Sequence, residues 1–144
     1  TLRTARLSEL GFADVAGRVE FTQGDACNLK PIYADYDLVF GGNLIDRLYE
    51  PVRFLEDMHH RIRSGGFLVL SSPYTWLGDF TERQHWVGGF KEDGENLTTL
   101  DGLERVLSPH FEAVGEPQDV PFVIRETARK HQHTIAQLTC WRKL

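Results

Sequence analysis

Cysteine is scarce in this chain, with only Cys27 and Cys140 among 144 residues. Two isolated thiols make neither the dense framework of a small secreted scaffold nor the paired spacing of a zinc site, so a reduced, cytoplasmic setting is expected. Long apolar runs are missing as well, and no charged segment leads into an apolar one, which argues against a membrane span and against a signal peptide. Basic residues are outnumbered, 16 Lys and Arg against 21 Asp and Glu for a net charge of −5, and they form no run. A surface that tracks phosphates needs the opposite balance, so nucleic acid is not expected as a partner. The histidines lack the spacing of a metal cage, and no metal is expected. Nowhere does a G-x-G-x-x-G follow a strand-like run, so the glycine loop of a nucleotide-binding fold is absent.

What is present reads as the later part of an α/β domain. The runs Val19–Thr22, Tyr36–Phe40 and Phe67–Leu70 are short, rich in β-branched or aromatic residues, and end in small or polar residues, as strands do. Residues 2–12 carry a weak helical stripe that stops at Gly11, and Pro51 opens a second one through Val52, Leu55, Met58 or His59, and Ile62 that Gly65-Gly66 is expected to end. Phe67–Leu70 is apolar on both faces and is expected at the sheet centre. A long loop follows from Ser71 to about Leu97, and loops of that length are often lids. Thr99 or Asp101 can cap a helix ending before Pro109, and Phe111–Val114, Phe122–Ile124 and Thr134–Trp141 are the remaining strand candidates. Opening on Thr1 rather than Met is expected of a segment with more polypeptide upstream.

At Gly24-Asp25-Ala26, Tyr36-Asp37-Leu38-Val39 and Ser64-Gly65-Gly66, in that order, the chain resembles the class I S-adenosylmethionine-dependent methyltransferases. In Asn43–Tyr49, Ser72–Leu77, Gly88–Asn96 and Pro117–Glu126 it resembles more closely the carboxyl-terminal methyltransferase domain of ovothiol biosynthesis, over essentially all its length. The resemblance implies a Rossmann-like α/β fold. Its sheet would be mostly parallel, with helices on both faces and a C-terminal antiparallel hairpin. Residues 1–144 would form a single, N-terminally incomplete domain whose first strands and glycine loop lie upstream. It further implies S-adenosylmethionine as cofactor and a histidine-derived small molecule, a mercaptohistidine methylated on an imidazole nitrogen, as substrate.

Methyl transfer from a sulfonium needs positioning more than covalent help, so the candidates are positioners. By the resemblance, Asp25 contacts the adenine amino group, with Ala26 and Cys27 lining that pocket; Asp25 is otherwise a turn residue and Cys27 a small buried filler. Asn43 follows a strand at the ligand edge and is expected to face cofactor and substrate, with Asp46 beside it as a second catalytic candidate; the plain alternatives are a turn residue and a cap or partner of Arg47. Tyr74 and Trp76 could wall a flat substrate ring or fill the core. Phe90 and Lys91 sit in the long loop, which either closes over substrate or is idle surface. Arg125 offers a carboxylate clamp, or an ordinary ion pair with Glu126. Competing readings are methylation of another small acceptor, a noncatalytic module using a degenerate fold and, more remotely, a nicotinamide oxidoreductase. An incomplete sheet also leads to the expectation of a homo-oligomer formed through an exposed edge.

Overall fold

A computed structural model describes residues 4–144. The elements that place the site are β1 (Tyr36–Gly42), α1 (Pro51–Arg61), β2 (Ile62–Ser72), β3 (Phe90–Glu92), β4 (Glu95–Leu97), α2 (Thr99–Leu107), β5 (Phe111–Ala113), β6 (Gln118–Arg125) and β7 (His131–Lys143). The main sheet runs β1-β2-β7-β5, with β6 also on β7, and β3 and β4 form a separate hairpin. β1 and β2 are parallel, whereas β7 is antiparallel to β2, β5 and β6. The sheet is therefore mixed, with one parallel ladder rather than the mostly parallel arrangement expected.

Both helices pack together on one face. α1 starts on Pro51, whose missing donor costs nothing at a first helical position. Phe54, Leu55 and Met58 then fall on one side and meet Leu103 and Leu107 of α2 over Leu68 and Leu70 of β2 and Trp141 of β7. Side chains alternate along a strand, so the opposite face carries Leu38 and Phe40, which are 54% and 60% exposed. Among the described residues no helix covers that second face, in contrast to the two-sided cover expected.

Three expected elements come out differently. Val19–Thr22 is not a strand: it joins no ladder, and Phe21 is 93% exposed. A strand exists by pairing, and β1 offers its only ladder to β2. The stripe over residues 2–12 begins outside the described residues; from Leu7 to Gly11 the chain makes turns, and Leu7, Leu10 and Phe12 stay about half exposed. α1 ends at Arg61, four residues before the glycine pair, because Ile62 is buried in register with Tyr36. Lys143 caps this end, its Nζ donating to the carbonyls of His59 and Ile62 at 2.6 and 2.7 Å. Gly65 and Gly66 serve instead where the ladder shifts register, and a Cβ on Gly66 would lie 2.9 Å from the Asp37 carbonyl oxygen.

The segment after β2 is a packed part of the fold, which corrects the expectation of a lid. Trp76 Nε1 donates to Thr99 Oγ1 at 3.0 Å, and the buried Thr81 hydroxyl donates to the Leu48 carbonyl at 2.6 Å. Arg105 of α2 forks onto Glu92 at 3.1 and 2.8 Å and so fastens the β3–β4 hairpin. α2 itself opens on Thr98, whose hydroxyl accepts from Asp101 N–H while the Asp101 carboxylate accepts from Thr98 N–H, a reciprocal box one residue earlier than expected.

Candidate functional site

β1 and β2 both end on residues with left-handed backbone just beyond the sheet, Asn43 at φ +50° and Tyr74 at φ +53°. Asparagine tolerates that region and tyrosine does so rarely, so the second turn is held by its surroundings. Tyr74 N–H donates to Ser72 Oγ at 3.1 Å and its hydroxyl to Gln137 at 3.0 Å, while burial pushes the phenol up to about 12. The tips are tied to each other: Asn43 N–H donates to the Ser71 carbonyl at 2.7 Å and the Ser71 hydroxyl to Asn43 Oδ1 at 3.4 Å. These are the carboxyl ends of parallel strands, where open α/β sheets bind ligands.

A cavity of about 210 Å³ opens there, lined by Asn43, Asp46, Arg47, Pro73, Thr75, Phe122, Ile124, Gln132 and Thr134. Its roof follows from strand register. β2 ends at Ser72 opposite Gln137, so the earlier residues of β7 and their β6 partners run on past the tip. Phe122 pairs with Thr134 and Ile124 with Gln132, which puts all four on one face of that overhanging hairpin. The pocket is thus part apolar and part polar, as small-molecule sites are.

Asp46 is its most telling member. It sits in the single turn Ile45–Arg47 and is 1% exposed. Oδ2 accepts from Thr75 N–H at 3.1 Å and from Arg47 Nη1 at 3.0 Å, whereas Oδ1 has no partner among the described residues. An unpaired buried acceptor costs about 1–3 kcal/mol, so such an atom on a pocket-lining residue marks a place where a ligand donor would be accommodated. The structure thus makes Asp46 both a partner of Arg47 and a pocket residue, and it is buried.

Of the other candidates, Asn43 shares this pocket with Asp46. Asp25, Ala26 and Cys27 form a separate group beside the start of α1. Asp25 caps the turn Ala26–Asn28, with Oδ1 accepting from Cys27 N–H at 2.9 Å and Oδ2 from the Tyr49 hydroxyl at 2.7 Å. That hydrogen bond pushes the Tyr49 phenol up to about 12, and burial pushes the Cys27 thiol up. Arg61 clamps the following loop through the carbonyls of Leu29, Lys30 and Tyr33. Each Asp25 oxygen keeps a spare lone pair and the Asn43 amide nitrogen makes no hydrogen bond among the described residues, so Asp25 can accept from an adenosine's amino group and Asn43 can donate to a cofactor oxygen. Four hollows are larger, of about 220 to 420 Å³; two of them, about 310 Å³ along the outer side of α1 with Cys27 in its wall and about 420 Å³ beside the first half of β1 with Ala26 in its wall, lie away from the strand ends.

The remaining expectations part from the pocket. Tyr74 is adjacent in sequence but turns to Gln137, and Trp76 is buried in the core against Trp86. Phe90 and Lys91 belong to the β3–β4 hairpin, and Arg125 is exposed at the end of β6 with its Nε on the Thr127 carbonyl. None of the five lines the cavity. Arg47, Thr75, Gln132 and Thr134 do line it and were not singled out from the sequence; the alternation of β6 against β7 was the available signal for the last two. Among the described residues no group of three or more His, Cys, Asp or Glu could hold a metal ion, and no helix is long and apolar enough to cross a membrane.

No protein-family model and no curated protein matches the chain. Solved structures do. One, from the conversion of a disulfide bond into a thioacetal group during echinomycin biosynthesis, is 15% identical with a TM-score of 0.58, covering 94% of this chain and 60% of its own. A SAM-dependent methyltransferase from Methanosarcina mazei is 16% identical at 0.52, covering 96% and 79%. The N-methyltransferase NodS of Bradyrhizobium japonicum, in complex with S-adenosyl-L-homocysteine, is 14% identical at 0.52, covering 94% and 61%. The chain thus spans about three-fifths of the length of two of the three. Together with the sheet order and the antiparallel C-terminal strands, this likeness gives the chain the class I methyltransferase fold.

Proposed function

We propose that the protein is an S-adenosylmethionine-dependent N-methyltransferase whose acceptor is an imidazole nitrogen of a mercaptohistidine. The observation that carries the reading is the unpartnered, buried Oδ1 of Asp46, a residue that lines a cavity at the strand ends of a class I methyltransferase fold. Asp25 and Asn43 have the acceptor and donor capacity to hold the cofactor, which when bound supplies a methyl group already activated on a sulfonium. On the acceptor side, Asp46 Oδ1 takes the N–H of one ring nitrogen and so fixes the ring with the lone pair of the other directed away from it. Phe122 and Ile124 offer the ring an apolar cover, and Gln132 and Thr134 offer it polar contacts. Orientation of this kind accounts for about 7–11 kcal/mol of a barrier in well-aligned reactions. The free thiols of Cys27 and Cys140 suit a reducing, cytoplasmic compartment.

The test is methyl transfer by the full-length protein to mercaptohistidine, measured beside unrelated amino acids and thiols. Methylation of the imidazole nitrogen in preference to the others is expected. Transfer to a different acceptor would leave the methyltransferase and remove the substrate, whereas no transfer to any would favour a noncatalytic use of the fold.

A further inference from the structure

Arg47 lines the same cavity as Asp46, yet only one of its guanidinium nitrogens is engaged. Nη1 donates to the Asp46 carbonyl at 2.8 Å, to Asp46 Oδ2 at 3.0 Å and to the Thr75 carbonyl at 2.9 Å. Nε and Nη2 have no hydrogen-bond partner among the described residues. A guanidinium is a rigid planar fork, so anchoring Nη1 fixes the direction of the Nε–Nη2 edge as well. Phe80 supports it, its ring centre 5.0 Å from Cζ. The side chain is 37% exposed, and that edge carries no hydrogen bond among the described residues. One residue back, the partnerless Asp46 Oδ1 presents the opposite sign.

We infer that Asp46 and Arg47 form a two-signed recognition pair, in which the Nε–Nη2 edge of Arg47 holds the carboxylate of a free amino acid while Asp46 Oδ1 takes an N–H of the same molecule. Planar carboxylates fit such an edge with two parallel hydrogen bonds. The salt bridge between the two residues keeps both groups in place and leaves one side of each for the ligand. A cavity of about 210 Å³ suits a free amino acid better than a nucleotide. This role is the one the sequence suggested for Arg125, which lies off the pocket. The inference rests on the proposed function only in calling the bound molecule the methyl acceptor.

Calorimetry of the full-length protein with L-histidine and with histamine, which differ by the carboxylate alone, tests it without any methyl transfer. Histidine is expected to bind roughly tenfold to a hundredfold more tightly, the range of a charge-assisted hydrogen-bonded pair. In Arg47→Lys, which keeps the charge and loses the fork, that ratio is expected to fall to below about threefold. Equal affinities in the wild-type protein, no measurable binding of either compound, or a ratio that survives the substitution would overturn the inference. Circular dichroism checks the variant, and if it does not fold the wild-type ratio alone decides. A wild-type preference for histidine that Arg47→Lys abolishes, together with absent methylation of mercaptohistidine, would sink the proposed function and leave this inference standing.

Discussion

At the scale of single residues, the site is an arrangement of unspent hydrogen-bonding capacity. That Asn43 and Asp46 line the strand-end cavity was legible in the sequence, because both follow a recognisable strand at the edge of a parallel sheet. Tyr74 and Trp76 follow the next strand just as closely, yet the backbone reversal at Tyr74 sends its ring to Gln137 and buries the indole of Trp76. Nothing in local sequence encodes that turn. Gln132 and Thr134 are remote in the chain, and only the register of β7 brings them over the tips. Replacing Asn43 by Gly separates its amide from its backbone, since glycine keeps the φ of +50° without strain. The expected outcome in steady-state kinetics is a fall in kcat/KM of about tenfold, with a melting temperature close to wild type. Tyr49 and Tyr74 give a second check. Their folded values near 12 lie above the ordinary phenol, so whatever stability their O–H groups contribute is present below about pH 10 and lost as pH rises through 12. In an alkaline absorbance titration, Tyr49→Phe should remove one late-ionising phenol.

At the scale of elements, the two helices and the central strand were readable because their apolar spacing agrees with what they pack against. The segment Val19–Thr22 has strand composition and remains unpaired, since composition cannot supply a neighbour. The segment between β2 and α2 looked loose because the contacts that bind it are long-range: Trp76 to Thr99, Thr81 to Leu48, and the approach of Gly102 to Val87. A Cβ on Gly102 would sit 1.8 Å from the Val87 carbonyl oxygen, so one of the two backbones must move. Gly102→Ala should cost about 1–3 kcal/mol or more in chemical denaturation, despite the better helix propensity of alanine. Thr98→Ala removes the cap of the same helix and should cost about 1 kcal/mol. The hydrogen bonds from Thr98 hold the Asp101 carboxyl below its ordinary value, and the Arg105 fork does the same for Glu92. Their contribution is therefore present above the unfolded carboxylate range and is lost as pH falls through the lower folded values. Acid unfolding followed at α2 should begin at higher pH in the Thr98→Ala protein.

At the scale of the whole molecule, one face of the sheet is built and the other is open. β1 is an edge strand that carries the exposed Leu38 and Phe40, and Ile32 and Phe21 are exposed as well. Edge strands without a protecting lysine, proline or cover invite pairing. Sedimentation velocity of the chain should therefore reveal concentration-dependent association, and Phe40→Lys should weaken it; a strictly monomeric chain at all concentrations would count against that expectation. The open face also explains why the fold was more legible than its boundaries: the order of strands and helices is written in local patterns, while what covers a face depends on contacts beyond them. The walls of the pocket come from the segments that follow β1 and β2 and from the overhanging β6–β7 hairpin. The reading of its chemistry rests on a single unpartnered oxygen, Asp46 Oδ1. The most direct measurement is transfer of labelled methyl from S-adenosylmethionine to mercaptohistidine by the full-length protein, wild type against Asp46→Asn. Asparagine keeps the shape and can still accept from Thr75 and Arg47, but it loses the free acceptor, so kcat/KM should fall roughly tenfold to a hundredfold with folding intact. Equal rates in the two proteins, or no transfer by the wild type, would contradict the assignment of this pocket as the acceptor site.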